Sequence, residues 1–445
     1  MTPEEEAQWI ENINTTLSVR LSYHDYEKIP LAFRDYTIDS GRVTFCVKGE
    51  FELELTIGDE DFDSQYWFMD FRLLFTPAPT KLAATLLAAF ENKVNQILAV
   101  DGLAGCYEYL HEFVLTQKIT EFWRQAVELS KRSWIHSLKV ERLNRGMAIQ
   151  YWVNRPHSQG KKCWIIMGIN SATGLDGLAD TKTPSTLSLR WFRDGKEVKD
   201  FDIPFDTDTI STDALLTTVV ARHIEYVLES MFDKLSSKPR FGQGRARLEL
   251  DISDEVPSDS SLSVQLLGRE SIALHIDSLT GAFNLLPSSA PVHEWQQRLN
   301  ACPNPVEDAT TILERFRWFL TVRDLSSRAK SIGWTVSRRN PVNQDELRTM
   351  IQENTESREP FHSVWLRRPG YNSNWFVMMT MSLGGDNWWL VELYVYPPSR
   401  FISPLLTSLQ ALHRGRAHRR HTSGRLPNSR WHQAKSPSRT ISSKT

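Results

Sequence analysis

GRVTFCVKGEFELELTIGDEDFDSQYWFMDFRLLF, residues 41–75, opens with a period of two. From Val43 to Ile57 every odd position except Gly49 is apolar (Val43, Phe45, Val47, Phe51, Leu53, Leu55, Ile57), while the even positions read Thr, Cys, Lys, Glu, Glu, Glu, Thr. Side chains alternate across a strand, so one face is made for a core and the other for water. A two-residue turn at Ser40-Gly41 sets Ile38 opposite Val43 and Tyr36 opposite Phe45, all on one face. The same turn at Lys48-Gly49 would oppose Val47 to Glu50 and Phe45 to Glu52. The expectation is therefore one long strand with a kink or bulge at Gly49.

The period then lengthens to four. Leu82, Leu86, Phe90, Val94 and Leu98 form one stripe, which Asp101-Gly102 ends. Leu103, Tyr107, Leu110 and Val114 form a second, and Ile119, Phe122, Ala126 and Leu129 a third. Such stripes predict helices with one face packed on a sheet or on each other. A second sheet-then-helix run follows in MAIQYWV (147–153), CWIIMGI (163–169) and SLRWFRDGKEVKDFDI (188–203), where Asp194-Gly195 is a hairpin turn that opposes Trp191 to Val198. Its helix carries apolar pairs at 215/216, 219/220, 223/224, 227/228 and 231/232. His223 lies in that stripe with no second ligand at helical spacing, so it reads as a satisfied core residue.

SSKPRFGQGR, residues 236–245, reads as a linker. Beyond it come the strand-like LEL, SVQLL, SIALHID and AFNLL and a helix holding Ile312, Leu313, Phe316, Phe319 and Leu320. A last set of strands is SVWLRR, WFVMMTMSL and WWLVELYVY, the final two joined by Gly384-Gly385-Asp386-Asn387. The fold class is α+β: repeated modules of mainly antiparallel sheet packed against long helices. The modules are residues 1–150, 151–237 and 245–400, with 401–445 a disordered basic tail.

At 445 residues the chain exceeds the roughly 250–300 at which single cores stop growing, which requires more than one module. The formal charge of −2 hides an asymmetry: residues 401–445 carry nine Lys and Arg and no Asp or Glu, leaving 43 basic and 54 acidic side chains in residues 1–400. A body that acidic is not made to track a phosphate backbone. Cys46, Cys106, Cys163 and Cys302 have neither paired zinc spacing nor a disulfide-dense pattern, which fits a reducing compartment. The opening MTPEEEAQWI is acidic where a signal peptide is basic, and LAATLLAAF (82–90) is less than half a membrane span. These features read as a soluble intracellular protein.

Chemistry-bearing motifs are weak. Asp59, Asp61 and Asp63 have the spacing of a calcium loop, but Ser64 stands where Gly is required and Asp70 where Glu is, so they read as a solvated acidic loop. Gly242 and Gly244, and Gly102 and Gly105, lack the further residues of a phosphate loop and read as a linker and an interhelical turn. No residue is nominated as catalytic, cofactor-binding or metal-ligating, and neither a cofactor nor a small-molecule substrate is expected. Most of the fifteen tryptophans, among them Trp67, Trp152, Trp164, Trp191, Trp375 and Trp389, read as sheet or core residues. Trp388 and Trp389 are neighbours on one strand and point to opposite faces, so one of them lies away from the core. That pair is the nominated partner contact.

GRVTFCVKGEFELELTIGDEDFDSQYWFMDFRLLF, VNQILAVDGLAGCYEYLHEFVLTQKITEFWRQAVELSK (94–131), LKVERLNRGMAIQYWVNR (138–155) and SLGGDNWWLVELY (382–394) together resemble the fungal Mediator complex subunit 14 family. The resemblance covers roughly residues 1–400 and implies a nuclear, non-catalytic scaffold made of repeated modules. Its implied partners are the head, middle and tail modules of Mediator and, indirectly, RNA polymerase II and activators. It also implies that the chain is a fragment of a longer family member, and it carries over no individual contact residue. Two rival readings make different demands. An enzyme with a dispersed site requires a deep pocket with convergent titratable groups. A nucleic-acid binder acting through the basic tail loses binding when residues 401–445 are deleted.

Overall fold

The computed structural model describes residues 2–79, 84–156, 161–170, 184–199, 203–253, 256–337, 340–354, 361–394 and 405–412. They belong to two compact units, Met1–Ser327 with Ser382–Gly385 and Arg328–Met381 with Asp386–Thr445.

The first unit begins with helix α1 (Pro3–Val19), whose first turn is fixed by reciprocal hydrogen bonds between Thr2 and Glu5. A four-stranded meander follows, β1 (Tyr36–Asp39), β2 (Arg42–Val47), β3 (Phe51–Ile57) and β4 (Tyr66–Leu73), in that spatial order. Tyr36 faces Phe45 and Ile38 faces Val43, as the Ser40-Gly41 turn predicts. The long kinked strand is corrected: Lys48-Gly49-Glu50 is a three-residue loop, and β2 pairs β3 with Val47 opposite Phe51 and Phe45 opposite Leu53. An odd loop length preserves the parity that a two-residue turn would break, so every apolar odd position stays on the core face. Gly49 supplies the positive φ of 72° that the loop needs. On that face Phe33 stacks on Phe45 at 4.5 Å. Each such buried side chain contributes about 1.5–3 kcal/mol.

Helices α2 (Ala84–Val100) and α3 (Gly102–Lys131) cover the sheet. Phe90, Val94 and Leu98 are buried as the stripe requires, Leu86 is exposed, and Leu82 lies outside the described residues. The two stripes on either side of Thr116 belong to a single helix. Asn95 of α2 accepts the amide of Phe68 on the edge strand β4 at 2.9 Å, covering an otherwise unpaired strand edge.

The second sheet is β5 (Leu138–Leu143), β6 (Gly146–Tyr151), β7 (Cys163–Asn170), β8 (Thr186–Arg193) and β9 (Lys196–Val198), and α4 (Thr212–Ser236) packs on it. Trp191 faces Val198 across the Asp194-Gly195 turn. All five apolar pairs of α4 point inward, with Phe232 partly exposed. The third sheet is β10 (Leu248–Asp251), β11 (Ser261–Leu267), β12 (Glu270–Ile276) and β13 (Phe283–Leu286), followed by α6 (Ala290–Ala301) and α7 (Pro305–Ser331). The stretch 236–245 is packed, not a loose linker. It forms the short helix α5 (Pro239–Gly242), buries Phe241, and places Arg240 where it donates to the carbonyl of Leu266 at 2.7 Å. One apolar cluster runs from Ile13 to Leu320 through all three sheets. The expected break at residue 150 falls inside the β5–β6 hairpin, where Leu138 pairs with Tyr151.

The second unit contains β14 (Thr335–Val336), helix α8 (Gln344–Asn354), β15 (Phe361–Arg367), β16 (Trp375–Ser382), β17 (Gly385–Tyr394) and β18 (Leu405–Leu412). The five strands lie side by side in chain order. The turn between β16 and β17 is tighter than the expected four-residue joint, and Gly385 already belongs to β17. The tail is corrected as well: 405–412 pairs antiparallel with β17. The sequence LLTSLQAL is apolar enough to cover the edge that β17 would otherwise leave open. Residues 413–445 lie outside the described residues. The described ladders are antiparallel, and the architecture is α+β.

Candidate interaction surface

At the end of α1 the helix widens by one residue over Arg20–His24. Such π-type turns re-aim the side chains that follow. Arg20 and Leu21 turn inward, and the guanidinium of Arg20 becomes the centre of a buried network. Its Nε donates to Asp25 Oδ2 at 2.7 Å, and one terminal nitrogen donates to the carbonyl of Ser64 at 2.6 Å. The Tyr66 hydroxyl donates to Asp25 Oδ2 at 3.2 Å, and the Arg20 guanidinium lies 4.0 Å from the centre of the Tyr66 ring. Burial works to raise the Asp25 carboxyl. The hydrogen bond and charge of Arg20, then those of Lys28, outweigh burial and hold it below its ordinary 3.8. Burial pushes the Tyr66 phenol far upward, which keeps it a neutral donor.

This anchor fixes the segment that runs over it. Tyr23 is 84% exposed, Leu31 77% and Tyr26 53%, and Val19 is exposed at the end of α1. Four large apolar or aromatic side chains are thus shown to solvent on a backbone that a buried ion pair holds still. Preorganised aromatics lose little entropy on contact, which is why such residues anchor interfaces. Sequence reasoning passed over this surface because VRLSYHDYEKIPLAFR (19–34) follows neither a strand nor a helix period. The available signal was that absence of period: large apolar side chains with no core face to join.

The nominated tryptophans separate. Trp389 is 2% exposed, packs with Trp365, Met378 and Val391 in the core of the second unit, and donates from Nε1 to Thr380 Oγ1 at 2.8 Å. Trp388 sits on the opposite face of β17, half-buried, across the ladder from Leu412. On the first sheet, Trp67 and Met69 project from the outer face of β4 and are exposed. Trp152 and Trp191 are core residues.

The remaining candidates do local work. In the loop between β3 and β4 the Asp59 carboxylate accepts the amide of Asp61 at 3.1 Å, and the Asp61 carboxylate accepts that of Asp63 at 3.2 Å. These are Asx turns. Gly102 opens α3 with a φ of 63°, and Gly105 lies within that helix. His223 is fully buried on α4 with Nδ1 3.0 Å from the Tyr151 hydroxyl. Trp191 Nε1 donates to the same hydroxyl at 2.9 Å, which leaves the phenol proton for the imidazole. Among the described residues no three His, Cys, Asp or Glu side chains are grouped to hold a metal ion. No described helix is long and apolar enough to cross a membrane.

Two family descriptions match the chain: the Fungal Med14 domain over residues 231–325 and Mediator complex subunit MED14 over residues 1–59. The second match contains the Val19–Leu31 surface. Among individual proteins, the chain is 54% identical over 401 residues to Mediator of RNA polymerase II transcription subunit 14 of Neurospora crassa, covering 88% of this chain and 31% of the relative. It is 46% identical to the protein of the same name in Chaetomium globosum, covering 90% and 34%, and 43% identical to that of Pyricularia oryzae, covering 88% and 35%. The chain spans about a third of the length of these relatives.

Proposed function

We propose, for a chain that belongs to the fungal Mediator subunit 14 family, that it acts as a non-catalytic scaffold in the nucleus, holding Mediator subunits together in RNA polymerase II transcription. The observation that carries this reading is the similarity to the Neurospora crassa protein, 54% over 401 residues, a span that takes in both units of the fold. The geometry agrees with an assembly role. Polar side chains in the interior are spent on joints between elements, as in Arg20–Asp25–Tyr66 and Tyr151–His223–Trp191. Large side chains left outside include Tyr23, Tyr26, Leu31 and Trp67. Partners in the head, middle and tail modules, with RNA polymerase II and activators reached through them, follow from the family reading.

The test is co-expression of the 445-residue chain with Mediator head, middle and tail subunits, followed by affinity purification in moderate salt. Stoichiometric recovery of at least one module is the expected result, reduced when Tyr23 and Leu31 are both changed to Ser. A folded chain that recovers no subunit overturns the scaffold reading. Recovery that is indifferent to Tyr23 and Leu31 removes this surface from it.

A further inference from the structure

A cavity of about 690 Å³ in the first unit opens between the β8–β9 hairpin, the C-terminal half of α4, the β12–β13 connection and the start of α7. Its floor is apolar, formed by Val198, Val227, Ile276 and Phe283, and its walls are basic. Arg155 is neutralised by Asp194, and Glu197 by Arg190 at 2.6 Å. What remains is Arg193, Lys196, Lys199 and Lys234, with Lys161 donating to the neutral Asn304 at 3.0 Å, against the single carboxylate of Glu307. Among the described residues none of Lys196, Lys199 and Lys234 is ion-paired. Arg193 is held in place by the face of Tyr226, its guanidinium carbon 3.2 Å from the ring centre.

We propose that this cleft docks an acidic segment of a partner protein, with a bulky apolar side chain on the floor and carboxylates against the Arg193–Lys196–Lys199–Lys234 wall. The concentration of unpaired positive charge is opposite in sign to the acidic body around it, where residues 1–400 carry 54 acidic and 43 basic side chains. That contrast gives the cleft charge complementarity to an acidic ligand. A nucleic acid is disfavoured because tracking a phosphate backbone needs basic side chains well beyond this cleft, and residues 1–400 carry 54 acidic against 43 basic side chains. A free inorganic anion is disfavoured because the apolar floor gives it nothing to bury and the volume suits a peptide side chain with its neighbours. The inference rests on the cleft itself and does not depend on which complex the chain joins.

The experiment is fluorescence anisotropy of the full chain with a labelled synthetic peptide rich in Asp and Glu that carries one Phe and one Leu. The expected result is saturable binding that weakens as salt screens the wall, and at least about tenfold weaker binding for the double variant Lys196→Glu, Lys199→Glu. Both lysines are exposed, and circular dichroism checks that the variant folds. Should it not fold, Lys234→Gln reads the same wall, with a loss of about threefold expected. Unchanged affinity in a folded variant overturns the proposal, as does displacement of the peptide by an equally charged single-stranded oligonucleotide or by inorganic phosphate.

Discussion

Nδ1 of His111 lies 2.7 Å from Oε2 of Glu50, so a ring on α3 grips the tip of the β2–β3 hairpin. The other ring nitrogen lies 2.6 Å from the carbonyl oxygen of Ser185, just ahead of β8. Both partners only accept, so both nitrogens donate, and the imidazolium is the form that satisfies the site. Burial works against that charge. The hydrogen bonds to Glu50 and Ser185 and the Glu50 charge outweigh burial and hold His111 above its ordinary value. One proton therefore joins a hairpin, a helix and a strand of the next sheet.

Stability should follow that proton. A raised folded-state pKa gives stabilisation that is complete below the ordinary imidazole value of about 6.5 and is lost as pH rises through the folded value. Thermal unfolding measured from slightly acid to alkaline pH should show Tm falling across that window, and His111→Gln should flatten the fall. Parallel profiles for the two proteins would remove His111 from the joint.

The buried ion cluster on α7 makes a larger prediction. Glu314 accepts from Arg317 Nε at 2.8 Å and from Trp318 Nε1 at 2.8 Å, and lies 3.5 Å from Arg240. Glu314→Ala takes away the carboxylate that two inward-facing guanidiniums share, which should cost about 3–5 kcal/mol in urea unfolding. The exposed pair Arg298–Glu294, only 2.7 Å apart, is the control: Glu294→Ala should cost less than about 1 kcal/mol. Equal losses at the two sites would contradict the cluster's structural role.

Gly281 tests how closely the second and third sheets are joined. Its φ is +69°, and a Cβ there would lie 2.6 Å from the Trp152 ring. Trp152 in turn donates to the carbonyl of Ser278 at 2.8 Å. Gly281→Ala combines a left-handed backbone with a clash against a buried ring, so a loss of about 1–3 kcal/mol is expected. It should be accompanied by a change in tryptophan emission. A neutral substitution would mean that the ring moves aside freely.

The sequence made the elements legible where burial imposes a period, and hid them where burial is shared or absent. The pairings of Tyr36 with Phe45 and of Trp191 with Val198 could be read because Ser40-Gly41 and Asp194-Gly195 fix register by turn chemistry alone. The Gly49 loop is hidden from two-residue turn chemistry, although alternation on both sides demands an odd loop. The stretch 236–245 looked like a linker because its anchor, Arg240 to Glu314 and Leu266, joins residues far apart in sequence. The Val19–Leu31 surface was illegible for a related reason. Exposure there follows from Arg20 turning inward toward Asp25 and Ser64, which no local pattern records.

The tryptophan pair on β17 gives two adjacent residues opposite fates. Trp389 fills the core of the second unit and has its indole nitrogen satisfied by Thr380, so Trp389→Ala should cost about 3–5 kcal/mol and broaden or abolish that unit's unfolding transition. Trp388 shares the strand but not the core, and its removal opens no cavity there. Trp388→Ala should shift stability by less than about 1 kcal/mol. If this face meets a partner, Trp388→Ala should lower subunit recovery in the co-expression assay while leaving the melting profile of the chain intact. Trp389→Ala should lower both together. Comparing the two variants therefore separates a contact from a fold defect, and a Trp388→Ala protein that melts and assembles like the parent would take β17 out of the interface.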